Sequence, residues 1–137
     1  MRFDGDKAWR VGFDALYGLE VTEASSSELR GRVEVRDELK QPGGLVHGGV
    51  YAAISESLAS LGTMIGVHGD GKVAVGLSNQ TSFLRPIIAG VIHAHAVRKH
   101  AGRTTWVWEV EIVDDAGRLC VLTRMTVAVR DAPTRAG

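Results

Sequence analysis

One long helical pattern constrains the fold of this chain more than any other feature of its sequence. Between Val46 and Gly66, apolar side chains recur every three or four residues, at Val46, Val50, Ile54, Leu58, Leu61 and Ile65. Small residues on the neighbouring flank let another backbone approach closely, at Ala52, Ala53, Ala59 and Ser60. The pattern therefore predicts one long helix with a buried apolar stripe, which ends at the glycine-containing segment His68–Gly71.

Most of the remaining chain has the alternation and composition of β-strands. The predicted strands are Leu19–Glu23, Glu28–Arg36, Lys72–Phe83, Gly90–Lys99, Thr104–Val113 and Leu119–Arg130. A short amphipathic helix is predicted over Asp6–Leu16, and a turn-rich connection over Asp37–Gly44. Because one helix cannot cover a broad sheet on both faces, we predict an α+β fold. In this fold an antiparallel sheet wraps around the long central helix, and a second subunit completes a sheet edge or face.

Length and charge set the class of protein. The chain has 137 residues, which predicts a single domain over 1–137. Lys and Arg together number 16, as do Asp and Glu, so no basic surplus is available to bind nucleic acid or an anionic membrane. The longest apolar stretch is interrupted by polar residues, and the first six residues lack a signal-peptide core, which argues against a membrane span or secretion. Cys120 is the only cysteine, which suits a reducing cytoplasm.

The segment Gln41–Gly49 opens the predicted helix and is rich in glycine. Helix N-termini carry unpaired N–H groups and the positive end of the helix dipole, and glycines let a ligand come close to the backbone. The N–H of Gly48 is therefore a candidate donor to a carbonyl oxygen that gains negative charge during attack. The same glycines are also compatible with a tight turn that has no chemical role.

Glu56 lies on the small-residue flank of the helix, without a Lys or Arg one helical turn away. An isolated glutamate at such a position is most often a solvated side chain, and this alternative stays open. Gly48 and Glu56 are about 12 Å apart along the axis at roughly 1.5 Å per residue. A glutamate side chain cannot bridge that gap, so a shared site requires Glu56 of one copy to face Gly48 of a symmetry mate, at a two-fold dimer interface.

These residues occur in a pattern that resembles a known family. The segment Gln41-Pro-Gly-Gly-Leu-Val-His-Gly-Gly49, followed by Glu56 and Ser60, resembles the hotdog-fold acyl-CoA thioesterases. The resemblance is to the group of glutamate-type 4-hydroxybenzoyl-CoA thioesterases and 1,4-dihydroxy-2-naphthoyl-CoA hydrolases. It extends from about residue 17 to residue 129 and includes Phe83-Leu-Arg-Pro86, the Gly102-Arg-Thr104 turn and the Asp-x-x-Gly-Arg-Leu hairpin.

The resemblance implies a role for each residue of the motif. Glu56 would be the catalytic carboxylate, which either attacks the thioester carbonyl or activates water, and the Gly48 N–H would polarise that carbonyl. Gln41 and His47 would position the thioester, and Ser60 would orient Glu56 or a water molecule. The family also implies a homodimer whose sites pair Glu56 of one chain with the helix start of the other. A dimer of dimers is expected, with the plain dimer as the alternative.

Coenzyme A carries phosphates, so the resemblance also implies a local basic surface, with Arg85, Arg103 and Thr104 as contacts to CoA. Solvated loop charges are the alternative interpretation of these residues. His93 and His95 share a strand face, but no third ligand has suitable spacing, so no metal is expected. No cofactor is expected either, since CoA would be part of the substrate and product. Cys120, Trp106 and Trp108 are predicted in the core. For the two tryptophans, the alternative positions are a subunit interface and the wall of an acyl pocket.

The predicted function is hydrolysis of acyl-CoA, with an aromatic acyl group implied by the resemblance. Medium-chain fatty acyl and phenylacetyl groups remain open. Two other functions are considered, a dehydratase or hydratase on the same fold and a non-catalytic acyl-CoA-binding regulator. The first usually pairs an Asp and a His at the helix start, whereas the acid here follows Gly48 by eight residues. A regulator that acts through a protein partner would bind CoA without turnover.

Overall fold

The computed structural model describes residues 4–134 and contains two helices and six strands. They are α1 (Gly12–Tyr17), β1 (Glu20–Ala24), β2 (Glu28–Glu34), α2 (Gly48–Val67), β3 (Lys72–Phe83), β4 (Val91–Ala101), β5 (Thr105–Val113) and β6 (Leu119–Asp131). Short 3-10 helices cover Ala8–Arg10, Asp37–Leu39 and His68–Asp70.

Two predicted helix boundaries are wrong. The N-terminal helix does not run from Asp6 to Leu16, because Val11 has an extended backbone and Gly12 a positive φ of 65°, which separates the first 3-10 helix from α1. The long helix begins at Gly48 rather than Val46, because Val46 forms an isolated β-bridge with Lys40 and His47 has an extended backbone as the N-cap. In both places the apolar periodicity continues through residues whose backbone is not helical.

The strands form one antiparallel sheet in the order β1-β2-β4-β5-β6-β3, and α2 packs against its inner face. Alternate residues of β4, β5 and the middle of β6 are buried toward α2, as their period-2 pattern predicts. The core includes Trp106, Trp108 and Cys120, which confirms these predictions. The α+β architecture of a sheet wrapped around one long helix is confirmed as well.

Gly62 determines how closely α2 approaches the sheet. A Cβ atom at this position would lie 2.5 Å from Leu29 Cδ1 and 2.5 Å from Trp108 Cη2, so only glycine fits without displacing them. The indole of Trp108 donates to Thr63 Oγ1 at 2.9 Å, and the Thr63 hydroxyl donates to the carbonyl of Ala59 at 2.8 Å. The helix is thus fixed to the sheet by both packing and hydrogen bonds.

The segment Gly48–Asp70 is long and apolar enough to cross a membrane by length and composition, with a mean hydropathy of 1.3. Half of it is buried inside the fold, where it supplies the centre of the core. Its apolar composition is therefore accounted for by its position inside the sheet.

The two edge strands of the sheet differ. β1 has five residues, whereas β3 has twelve and pairs with β6 along one side alone, among the residues that the structure describes. β3 also exposes the large apolar side chains Val75, Leu77 and Phe83. A long, apolar, open strand edge is a surface on which a second strand can pair.

Candidate active site

The start of α2 leaves one backbone donor available. His47 caps the helix through its ring, because the Gly49 N–H donates to His47 Nδ1 at 2.8 Å, and the Val50 N–H donates to the His47 carbonyl at 3.0 Å. In the hydrogen bonds of residues 4–134, the Gly48 N–H has no acceptor. It is therefore an open donor at the positive end of the helix dipole.

The ring of Phe83 lies directly over Gly48. A Cβ atom at position 48 would lie 2.8 Å from Phe83 Cε1 and Cζ, so glycine is needed for this approach. Gln41, Gly48, Phe83 and Arg85 line one cleft of about 410 Å³. The structure thus brings together three of the predicted site residues, Gln41, Gly48 and Arg85, and adds Phe83, to which the sequence analysis assigned no role in the site.

Glu56 lies in a second cleft, one of about 260 Å³ that also contains Ser60, as predicted. Its side chain is exposed and lies over Gly76 of β3, where a Cβ atom would be 3.2 Å from Glu56 Oε1. No cation pairs with Glu56 and no hydrogen bond joins it to Ser60 in the described part of the chain. Apolar side chains form most of the rest of the cleft, among them Trp9, Leu19, Val21, Leu61 and Met64.

Asp14 is a residue of this second cleft that the sequence did not reveal. Asp14 Oδ1 accepts hydrogen bonds from the Tyr17 hydroxyl at 2.8 Å and from the Ser57 hydroxyl at 2.6 Å. Burial raises the pKa of the Tyr17 hydroxyl, and the nearby carboxylates of Asp14 and Glu56 raise it further. Asp14 and Ser57 are 43 residues apart, so no local pattern in the sequence could predict that they meet.

His47 faces a third cleft, of about 620 Å³, together with Phe13 and Leu16 of α1 and with Lys40. Because Nδ1 accepts a hydrogen bond, the neutral ring carries its proton on Nε2. The structure therefore does not place the His47 ring in the cleft that holds Gln41 and Gly48. Its observed role is to cap α2, and its implied role in positioning a thioester stays a prediction.

The implied CoA contacts lie at opposite ends of the sheet within one chain. Arg85 follows the end of β3, whereas Arg103 and Thr104 form the turn between β4 and β5. The carbonyl of Thr104 accepts from the N–H of Val129, and Val129 pairs with Ala74 near the start of β3. One copy of the chain thus separates Arg85 from Arg103 and Thr104, just as it separates Gly48 from Glu56.

Two histidines of β4, His93 and His95, each contact a single carboxylate. His93 Nε2 lies 2.9 Å from Asp115 Oδ1, and this hydrogen bond lowers the pKa of Asp115, while His95 pairs with Glu28. Within residues 4–134, no group of three or more His, Cys, Asp or Glu side chains is arranged to hold a metal ion.

Comparison with known proteins identifies the family. Residues 43–121 match the family model described as the thioesterase superfamily. The Mycobacterium tuberculosis protein Rv1847, provisionally named an esterase, is 39% identical over 91% of this chain and 89% of its own length. The 1,4-dihydroxy-2-naphthoyl-CoA hydrolase of Listeria monocytogenes is 31% identical over 88% of this chain and 97% of its own length.

Solved structures agree with the sequence comparison. The structure of Rv1847 superimposes on this chain with a TM-score of 0.86 at 35% identity. The match covers 90% of this chain and 100% of the relative. A variant of thioesterase PA1618 from Pseudomonas aeruginosa also gives a TM-score of 0.86, at 29% identity over 91% of this chain and 90% of the relative. The resemblance stated from the sequence is thereby confirmed. The chain belongs to the thioesterase superfamily and has its hotdog fold, which makes it a thioester hydrolase.

Proposed function

We propose that the chain hydrolyses acyl-CoA thioesters, with a preference for aromatic acyl groups, at sites formed between two copies. The observation that carries the proposal is the open Gly48 N–H at the start of α2, combined with an unpaired carboxylate, Glu56, two turns further along the same helix. Oxyanion stabilisation by such a donor is typically worth about 3 kcal/mol, which is on the order of a hundredfold in rate.

The reaction needs these two groups and a good leaving group. The Gly48 N–H donates to the thioester oxygen as negative charge develops there. The Glu56 carboxylate either removes a proton from water as water attacks the carbonyl carbon, or attacks that carbon itself to form an anhydride that water then hydrolyses. In both routes the C–S bond breaks, CoA leaves as the thiolate and takes up a proton, and the acid is released. Neither route requires a metal or a cofactor.

The proposed site requires two copies of the chain, because the Gly48 N–H and the Glu56 carboxylate are far apart within one copy. Gly48 and Glu56 line different clefts, and their separation along the helix is about 12 Å. Antiparallel pairing of two β3 edges around a two-fold axis would bring the Phe83 end of one copy beside the Gly76 end of the other. Glu56 of one copy would then face Gly48 of its mate, which supports a homodimer with two sites.

The same pairing would assemble the CoA contacts. Arg85 of one copy would join Arg103 and Thr104 of the other, which lie at the opposite end of the sheet. Neither arginine forms a salt bridge within residues 4–134, so both guanidinium groups are available to the phosphates of CoA. The buried, unpaired Cys120 is compatible with the reducing cytoplasm in which we propose that the enzyme acts.

The cleft beside Glu56 supports an aromatic acyl group. Trp9, Leu61 and Met64 give it flat or adaptable apolar walls, and its volume of about 260 Å³ has room for one or two fused rings. The Listeria monocytogenes relative is named for an aromatic thioester, which supports the same class of acyl group for this chain.

We further propose that two dimers associate through the apolar side chains that α1 exposes, Phe13 and Leu16. Light scattering of the purified protein would test this association by measuring the mass of the assembly.

Thiol release from a panel of aromatic and aliphatic acyl-CoAs tests the activity. We expect the wild type to turn over aryl-CoAs fastest and Glu56→Ala to be inactive while still folded and dimeric. CoA binding without turnover by the wild type would instead indicate a non-catalytic acyl-CoA-binding regulator. Equal activity of the two proteins would mean that Glu56 is a solvated side chain and that the mechanism is wrong.

A mixing experiment tests the shared site. Gly48→Pro removes the N–H of residue 48, and proline is a residue that is favoured at the first helical position. Gly48→Ala keeps the N–H and therefore controls for the contact of an added side chain with Phe83. Inactive Glu56→Ala and inactive Gly48→Pro, refolded together, form heterodimers with one intact site in two. Random pairing therefore predicts recovery of about a quarter of wild-type activity. Absence of recovery, despite heterodimers, would place both groups in one chain.

A further inference from the structure

Strand β3 contains a bulge next to Glu56. The register of β3 against β6 shifts between Gly76 and Ser78, so Leu77 is an extra residue without a partner. Before the bulge, Gly76 faces α2, and after it Asn79 and Thr81 do. The residues opposite them on β6 are all fully buried, namely Val127, Met125 and Thr123. Without the extra residue, Asn79 would point away from the helix, because side chains alternate along a strand.

Asn79 uses this orientation to bind the backbone of α2. Its Nδ2 donates to the carbonyl of Ala52 at 3.0 Å, and its Oδ1 accepts from the Thr81 hydroxyl at 2.6 Å. Thr81 in turn lies 3.1 Å from Thr123 Oγ1, which accepts from the buried Ser55 hydroxyl at 3.1 Å. A continuous chain of hydrogen bonds thus leaves α2 at residue 55 and returns to it at residue 52.

This network encloses the helical turn that carries Glu56. In an α-helix the N–H of residue 56 bonds to the carbonyl of residue 52, which is also the acceptor of Asn79. A carbonyl oxygen has two lone pairs and can accept both bonds. On the same strand, Gly76 leaves space for the Glu56 carboxylate to lie against β3. Both the backbone and the side chain of Glu56 are therefore located relative to the open strand edge.

We propose that Asn79 is a positioning residue that holds Glu56 in register with the edge of β3, at the distance that a second copy requires. The proposal rests on the proposed catalytic role of Glu56. Because the other half of the site would come from a partner that pairs along that edge, a shift of α2 against β3 displaces Glu56 from the thioester. Misplacement of a catalytic group by about 1 Å can lower the rate on the order of a hundredfold.

Three variants separate positioning from general stability. Asn79→Ala removes both hydrogen bonds, and Asn79→Asp keeps the shape but replaces the donor with a carboxylate. Gln80→Ala is the matched control, because it removes a similar amide from the next position of the same strand, which faces away from α2. Steady-state kinetics, pH profiles and light scattering would be measured for all three on the best aryl-CoA.

We expect Asn79→Ala to lower kcat about tenfold or more, with KM changed less than about twofold and the dimer intact. Asn79→Asp should lower kcat and also move the acidic limb of its pH profile to higher pH. The negative charge that Asn79→Asp adds beside the turn disfavours ionisation of Glu56. Asp14, the other carboxylate of the Glu56 cleft, is present in every variant and so does not account for the difference. Gln80→Ala should stay within about twofold of the wild type.

Hydrogen–deuterium exchange gives a readout that does not depend on activity. In a peptide that covers residues 52–60, exchange should be faster in Asn79→Ala than in Gln80→Ala or the wild type, because the turn loses its link to β3. An inactive wild type, or an active Glu56→Ala, would refute the proposed function, and exchange alone would then decide whether Asn79 anchors the turn.

Three results would overturn the positioning role. Unchanged kcat in Asn79→Ala with an active wild type would show that Glu56 needs no support from β3. An equal loss of kcat in Gln80→Ala would assign the effect to the strand as a whole. Loss of activity that follows dissociation of the dimer would assign it to the interface.

Discussion

Gly62 is the residue at which the closeness of α2 to the sheet can be tested most directly. Its missing side chain is replaced by the fully buried Leu29 and Trp108, each of which would lie 2.5 Å from an added Cβ atom. A contact this short forces at least one of them to move. Both are enclosed by the core, so the adjustment must pass to α2 or to the strands.

The expected cost of Gly62→Ala follows from two opposing terms. Overpacking a buried site typically costs about 1–3 kcal/mol, and two short contacts with fully buried side chains favour the upper end of that range. Alanine stabilises a helix interior by about 1 kcal/mol relative to glycine, which offsets part of the cost. The net loss is therefore about 2 kcal/mol, or roughly 8 °C in Tm for a chain of this length.

Thermal and urea unfolding of Gly62→Ala would measure this loss, with Gly69→Ala as the control. Gly69 follows the same helix, lacks a positive φ, and has no atom within 4 Å of an added Cβ. We expect the control to unfold within about 2 °C of the wild type, because surface substitutions rarely exceed ±0.5 kcal/mol. A Tm of Gly62→Ala equal to that of the control would refute the close approach of α2 to Trp108.

Two further changes probe hydrogen bonds elsewhere. Thr123→Val preserves shape but leaves the buried Ser55 hydroxyl without its acceptor, so urea unfolding should show a loss of about 1–3 kcal/mol. Asp114 accepts from the backbone N–H of Arg118 and from its guanidinium, which lowers the pKa of Asp114. Its stabilisation is therefore present above the ordinary pKa of about 3.9 and lost as pH falls below it. The Tm difference between wild type and Asp114→Asn should narrow below about pH 4.

The sequence was sufficient for the architecture because the two periodicities are separated along the chain. The 3.6-residue period of α2 and the period-2 runs of β4, β5 and β6 each identify their element and its buried face. It was not sufficient for the helix start, since Val46 fits the apolar pattern but forms a β-bridge, and His47 after it has an extended backbone. Nor could it reveal the bulge at Leu77, because an extra residue in a strand leaves no compositional trace.

For the candidate site, too, features within one helix were predictable from the sequence, whereas contacts between elements were not. The helix start made Gly48 a candidate donor, and the family resemblance implied Glu56 as the acid, while helix geometry fixed the distance between them along one element. Contacts between distant elements were not predictable, and these include Phe83 over Gly48 and Asp14 beside Glu56. His47 lies away from the cleft of Gly48, since capping of α2 fixes its ring.

The fold itself explains why such a site would need two copies. A helix that fills the inside of one sheet exposes its N-terminus at one end and the turn of Glu56 about 12 Å away, and no rearrangement within the chain can shorten an α-helix. Pairing of two β3 edges in opposite directions would exchange the two ends, so the separation within one copy would become proximity between copies. Contacts that hold Glu56 against β3 would then also set its distance from the partner. In the proposed dimer, the bulge and Asn79 would therefore influence both the pairing of the copies and the position of the proposed catalytic carboxylate.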